Sequence, residues 1–411
     1  MKNCVIIQSG GPTAAINASL AGVVYKAKEM GYDRIYGAIN GIAGVLRHHL
    51  IDLTERLSDP EFLDKLMVTP AMYLGSCRNR MPDPIAEPAQ YEQMFSFFKE
   101  KEIVAFFGIG GNDSMDTVAK LSAYAAKVNS PIRVMGVPKT IDNDLMQIDH
   151  TPGFGSAAKY VATSLLEMAH DTMIYPVKSI TIVEIMGRDA GWLTAASALA
   201  RTSYSNAPQL IYLPEVPFSI TECIEDTEKL LRERNSVVIA ISEGIRDKEG
   251  NYISASDSAV DKFGHQQLSG AGKALEHILG QAIGVKIRSV ELNIPQRCGT
   301  HLASQTDLLE ARALGEYGVE LAEKGETGLM ASLERISDEP YKVSYKGVSV
   351  AGVANGVRNV PREFINERGN DVNEKMLSYL RPLILGEPKI TYENGLPEFL
   401  DVSHLLSSVT F

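Results

Sequence analysis

The chain has 411 residues, more than one hydrophobic core usually supports, so two domains are expected. Hydrophobic residues make up 45% and charged residues 22%, which excludes both a disordered chain and a disulfide scaffold. A net charge of -11 argues against broad binding to nucleic acid or anionic membrane, so a phosphorylated ligand must meet a local cluster of Lys and Arg.

Met1–Gln8 lacks the basic start and long apolar stretch of a signal peptide, and no segment offers the roughly 18 uninterrupted apolar residues of a membrane span. Cys4, Cys77, Cys223 and Cys298 stand far apart without metal-ligand spacing, so structural zinc is not expected. A reducing, cytoplasmic setting is the expectation.

Val5, Ile6 and Ile7 form a β-branched run that stops at Ser9, Gly10 and Gly11, and Ala14 to Met30 then carries apolar residues at helical spacing. This predicts strand, glycine turn, helix. The pattern repeats where Ile103–Phe107 precedes Gly108, Gly110 and Gly111, with a helix predicted over Ser114–Lys127. Arg133–Val137 is a third strand, ending at Pro138. His150 to Gly153 marks a boundary near residues 150 to 155, and a helix is expected over Ala157–His170. Ser179–Ile185 then leads to Gly187 and Arg188, and Ser236–Ile241 leads to Ser242, Glu243 and Gly244. Strands alternating with helices predict an α/β protein with mostly parallel sheets covered on both faces. Ligands of such sheets bind beyond the carboxyl ends of the strands, where each of these polar turns lies. In the remainder, Met330–Phe411, a strand is expected at Val348–Val353 and a helix at Val372–Leu385.

Gly10 and Gly11 let backbone N–H groups approach an anion, and the following helix N-terminus adds favourable partial charge. A ligand-free tight turn has the same signature, so it is the second such turn, Gly108 to Ser114, that points to a phosphate cradle. Pro138 to Asp144 places two carboxylates, a lysine and a hydroxyl directly after a strand. Phosphoryl transfer needs such a set: the attacking hydroxyl must lose its proton, and Mg²⁺ or cations must neutralise charge on the moving group. Asp142 can be the base and Asp144 can help hold the metal; the alternative is a solvated acidic loop. His150, His170 and His301 lack metal-ligand spacing and are read as structural or solvent-facing, and Trp192 as a packing residue.

Six turns, at residues 9–17, 108–114, 138–144, 186–188, 242–244 and 296–297, follow the order and approximate spacing seen in the phosphofructokinases, and the chain resembles that family over about its first 310 residues. The resemblance implies two Rossmann-like three-layer α/β/α domains. Residues 1–152, completed by about 298–335, would bind the donor; residues 153–297 would bind fructose 6-phosphate; residues 336–411 would be an extension packing on both. It further implies that Asp142 accepts the proton of the sugar 1-hydroxyl, with Thr140 and Ile141 in the same substrate loop. Met186, Gly187 and Arg188 resemble the sugar-binding segment, Glu243 a carboxylate that bonds the sugar, and Arg288 and Arg297 cations that grip phosphate. Arg suits that role because its planar fork pairs bidentately with phosphate oxygens. Ile294 stands where relatives often carry His or Tyr near the sugar phosphate. On the donor side the resemblance implies Gly10, Gly11, Arg78, Gly111 and Ser114 as contacts. Asn112 replaces an aspartate that organises Mg²⁺ in many relatives, so the metal is assigned to Asn112 and Asp144. A homodimer or homotetramer is implied, although Ser179, with Lys178 beside it, stands where many relatives carry an arginine reaching the neighbouring subunit.

ATP-using members carry glycine at the two positions held here by Asp113 and Lys139, the pair found in pyrophosphate-using relatives. Asp113 fills the space of a nucleotide α-phosphate and adds like charge, while Lys139 can reach oxygens between donor and acceptor. Taken singly, a helix cap and a surface lysine are the alternatives. The expected activity is reversible, Mg²⁺-dependent transfer from pyrophosphate to fructose 6-phosphate. An ATP-dependent enzyme and a catalytically silent, effector-binding subunit are the competing readings, the latter opposed by the presence of Asp142, Arg188, Glu243 and Arg297.

Overall fold

The computed structural model describes residues 1–77, 79–253, 270–354 and 356–408. Its sheets are built from β1 (Asn3–Gln8), β2 (Arg34–Ala38), β3 (Leu50–Asp52), β4 (Ile103–Gly110), β5 (Arg133–Pro138), β6 (Ser179–Ile185), β7 (Leu210–Tyr212), β8 (Ser236–Ser242), β9 (Lys286–Glu291), β10 (Leu329–Asp338) and β11 (Tyr341–Ser349). The first sheet is ordered β11-β10-β5-β4-β1-β2-β3 and is parallel except at its edges, where β3 and β11 run antiparallel to their neighbours. The second, β7-β8-β6-β9, is parallel throughout. β1 and β8 read as near-continuous apolar runs because they lie inside their sheets, buried on both faces. The three predicted helices occur over Ile16–Glu29, Asn112–Lys127 and Phe154–Met173. Among the described residues no helix is long and apolar enough to cross a membrane.

The tail departs from expectation. β10 and β11 place residues 329–349 in the first sheet, so that sheet takes in chain beyond the boundary expected at 336. Val348 and Ser349 end β11, and Val350–Gly352 is a 3₁₀ turn rather than strand. The helix expected over Val372–Leu385 is only Glu374–Leu380, started by Asn373, whose side chain accepts from the Lys375 N–H. A 3₁₀ turn, Arg381–Ile384, follows it, as Pro382 supplies no N–H to continue an α-helix. Farther along the chain, Met376, Leu380 and Leu383 enter the core of the second sheet, whereas Leu400 packs on that of the first.

Helix Gln305–Glu323 returns to the first sheet by crossing helix Ile16–Glu29 at glycines. A Cβ on Gly22 would lie 2.0 Å from the Arg312 carbonyl oxygen, and one on Gly315 2.2 Å from that of Ser19. Backbones this close leave room only for hydrogen. The same helix supplies Glu310, which meets His150 Nε2 at 2.6 Å while Asp149 meets Nδ1 at 2.7 Å. Tyr341 donates to Glu310 at 2.6 Å, and Arg335 Nε donates to Asp149 at 3.2 Å. Burial alone would lower the His150 pKa, but Glu310 and Asp149 outweigh it and lift it to about 9.

His150 is therefore structural, and its charge is a stability term. A folded pKa above the unfolded one stabilises fully below about pH 6.5 and is lost as pH rises through about 9, a change on the order of 3 kcal/mol. Urea unfolding between pH 7 and 10 should show that loss in the wild type, and His150→Gln should remove most of the slope.

Candidate active site

The polar turns after β1, β4 and β5 in one sheet, and after β6 and β8 in the other, converge on a cavity of about 490 Å³. Of the residues singled out by sequence, Gly10, Gly11, Gly111, Asn112, Asp113, Ser114, Lys139, Thr140, Ile141, Asp142, Asp144, Met186, Arg188, Glu243 and Arg297 line it. Gly187 supports it from behind: its N–H donates to Glu243 Oε1 at 3.2 Å and its carbonyl accepts from the Ser242 hydroxyl. Arg288 and Ile294 are not brought in. Arg288 sits on edge strand β9, 3.6 Å from Asp171, and Ile294 is 55% exposed just beyond that strand. Arg78 lies outside the described residues.

On the donor side, Gly10 has φ 82°, and a Cβ there would stand 3.2 Å from Lys139 Nζ. Lys139 is only 3% exposed, and its ammonium donates to the Gly11 carbonyl at 2.7 Å. Gly110 is required too, since a Cβ would fall 1.9 Å from Ser114 Oγ. Gly111, not Asp113, is the cap residue of helix Asn112–Lys127, which leaves Asp113 in the first turn facing the cavity. Arg297 Nη1 lies 3.9 Å from where a Cβ on Gly11 would be, beside the donor turn.

Asn112 Nδ2 donates to Asp144 Oδ2 at 3.2 Å, leaving Asn112 Oδ1 buried without a partner. An orphaned amide oxygen beside a carboxylate is a pair of hard donors that fits a divalent cation. Among the described residues no group of three or more His, Cys, Asp or Glu could hold a metal, so further ligands would have to be phosphate oxygens and water.

Sequence reasoning missed Thr13, Cys77, Asn79, Asp189, Gly356 and Val357, which also line the cavity. Thr13 was legible as a hydroxyl ahead of an apolar-periodic run; its Oγ1 accepts from the Ile16 N–H at 2.9 Å. Gly356 and Val357 carry no motif and arrive only through tertiary packing.

A model of the phosphofructokinase family matches residues 3–321. The chain belongs to the phosphofructokinase family. The pyrophosphate–fructose 6-phosphate 1-phosphotransferase of Halomonas elongata is 40% identical over 400 residues, covering 96% of this chain and 95% of that protein. The protein of the same name from Methylococcus capsulatus is 37% identical, covering 98% and 96%. A crystal structure of the pyrophosphate-dependent phosphofructokinase of Marinobacter aquaeolei superposes with a TM-score of 0.86 at 35% identity, covering 97% of this chain and 95% of that one.

Within this phosphofructokinase fold, burial sets the electrostatics of the cavity. It raises the Asp142 pKa, against the pull of Lys139 and Arg188. Burial, joined by the charge of Asp142, pushes Asp144 up to about 7. Glu243 also reaches about 7 through burial, although the Gly187 N–H favours its carboxylate. Burial lowers Lys139 to about 8, with Asp142 and Asp144 resisting and Arg297 assisting.

A base with a raised pKa loses activity as pH falls through that value, and a required ammonium loses it as pH rises through its own. With Asp142 as the base and Lys139 as a required ammonium, the roles proposed below, the profile of kcat/KM should be bell-shaped, with its acid limb above the ordinary carboxylate range and its alkaline limb near pH 8. Lys139→Arg, which stays charged, should move the alkaline limb out of that range in whatever activity remains.

Proposed function

We propose that this family member catalyses the reversible, Mg²⁺-dependent transfer of a phosphoryl group from pyrophosphate to the 1-hydroxyl of D-fructose 6-phosphate, giving fructose 1,6-bisphosphate and phosphate. The observation that carries the choice of donor is Lys139, buried against the Gly10 and Gly11 turn with Asp113 in the facing helix turn. The α-phosphate and ribose of a nucleotide donor would have to occupy that space. The names of the similar full-length relatives point the same way.

In this reading Asp142 takes the proton from the 1-hydroxyl as its oxygen bonds the transferring phosphorus and the bridging P–O bond of pyrophosphate breaks. Lys139 neutralises the departing phosphate, which is a preorganised charge and needs no rearrangement at the moment of transfer. Thr140 accepts the Asp142 N–H at 3.1 Å and steadies the base, with Ile141 between them in the substrate loop. Met186, Gly187, Arg188 and Glu243 receive the sugar, and Arg297 stands close enough to the donor turn to serve the phosphoryl group as well. Gly10, Gly11, Gly111 and Ser114 cradle the donor, Ser114 Oγ being buried and unpartnered. Mg²⁺ would be held by Asp144 and Asn112 and would screen phosphate charge when bound. The protein is cytoplasmic and forms a closed homodimer or homotetramer. Arg288, on an edge strand and 3.6 Å from Asp171, would grip a sugar phosphate only in a neighbouring subunit, since it lies outside this cavity.

The purified chain should phosphorylate fructose 6-phosphate with pyrophosphate and not with ATP; efficient ATP use without pyrophosphate activity would refute the choice of donor. Asp142→Asn should lower kcat by about 10²–10⁴-fold. Replacing Asp113 and Lys139 together by glycine should admit ATP while weakening pyrophosphate transfer, with the single changes non-additive. Chelation should abolish turnover, Mg²⁺ should restore it, and Asn112→Asp should reduce the Mg²⁺ needed for half-maximal rate.

A further inference from the structure

The loop Asp142–Asp149 carries the candidate base and metal carboxylate, yet its shape is imposed from elsewhere. Asn143 and Gln147 adopt left-handed backbone, with φ of 55° and 61°. Residues other than glycine hold that conformation when their surroundings over-determine it. Thr151 bonds the Asn143 side chain from nearby and Ser332 the Gln147 carbonyl from β10, but the Asn143 carbonyl is held by chain 215 residues farther on.

Arg358 donates through Nε and Nη2 to the Asn143 carbonyl at 3.2 and 3.0 Å. Its Nη1 donates to the Ile148 carbonyl at 2.8 Å and also to the Asp149 carbonyl. The Arg358 backbone N–H donates to the Asp144 carbonyl at 2.7 Å. Tyr379 completes the clamp: its hydroxyl accepts from Asn143 Nδ2 at 2.9 Å and donates to the Asp149 carbonyl at 2.8 Å. The Arg358 guanidinium lies over the Trp192 ring, 4.7 Å from its centroid, and the Arg358 carbonyl accepts from Trp192 Nε1 at 2.8 Å. Trp192 opens the short helix that follows the turn bearing Arg188. One residue therefore joins the loop of Asp142 on one wall to the sugar-side turn on the other.

We propose that Arg358, with Tyr379, is a positioning residue for phosphoryl transfer, holding the backbone on both sides of Asp144 so that Asp142 and Arg188 keep their mutual placement. This deepens the reading of Asp142 as the base and rests on it. Only a guanidinium supplies enough N–H donors in a fixed fork for three carbonyls; an ammonium is a single point donor. Neither Arg358 nor Tyr379 lines the cavity, so their loss should act on the geometry of transfer more than on ligand binding.

The test uses Arg358→Lys and Tyr379→Phe in the full chain, assayed with pyrophosphate and fructose 6-phosphate and followed by amide hydrogen exchange without substrates. Expected are kcat losses of about 10²-fold and about tenfold, since small misplacements in the reacting geometry are costly. KM values should stay within about threefold, the signature of an interaction felt mainly in the transition state. The double variant should lose less than the product of the singles. Amides of residues 142–149 should exchange faster in both variants while the rest of the protein keeps its protection. Unchanged kcat in both variants of an active enzyme, or unchanged exchange in the loop, would overturn the proposal. A wild type inactive with both substrates would refute the functional reading instead, and the exchange result would still decide the clamp. Tyr379→Phe removes a single hydroxyl and carries the test if Arg358→Lys does not fold.

Discussion

An ammonium held almost wholly out of water dominates the cavity, and its neighbours are arranged to make it tolerable. Isolated burial of a charge costs several kcal/mol even after relaxation, so Lys139 needs counter-charge and a hydrogen bond close at hand. Asp142 and Asp144 supply the first and the Gly11 carbonyl the second. The same requirement accounts for Gly10, where a side chain would crowd the ammonium. Asp142 and Asp144 stand two residues apart and partly shielded from water; desolvation raises the proton affinity of both, and the charge of Asp142 raises that of Asp144 further.

The scaffold meets that demand by topology. Parallel strands of both sheets end at the cavity, so backbone amides, helix N-termini and short polar turns collect in one place with little intervening chain. The acidic loop after β5 cannot be shaped by its own hydrogen bonds alone. On one flank His150, Asp149, Glu310 and Arg335 tie it to helix Gln305–Glu323 and to β10. On the other, Arg358 and Tyr379 satisfy its carbonyls. The loop is thus held by chain that follows it by up to 230 residues.

Much of this was legible in the residues. β1, β4, β5, β6 and β8 announced themselves because interior parallel strands are apolar on both faces and stop at glycine or charged turns. Edge strands gave no such signal. β9 alternates exposed and partly buried residues, edge strand β11 is exposed or partly buried throughout, and β10 beside it begins apolar but turns polar. That is why the strand expected at Val348–Val353 overlaps β11 only at Val348 and Ser349, and the sheet extends farther into the tail than the sequence pattern indicates.

For this protein the sequence alone determined the order of the turns, the chemistry each offers and the two substitutions, Asp113 and Lys139, that bear on the donor. Local spacing suffices for these because each turn is encoded within a few residues of its strand. Only the tertiary structure decided that Arg288 and Ile294 stay outside the cavity of their own chain, that Asn112 Oδ1 is left without a partner, that Gly356 and Val357 line the cavity, and that Arg358 packs behind it on the Asn143 carbonyl. Contacts between residues hundreds of positions apart leave no periodicity to read, since they are set by how two sheets and a returning tail pack together.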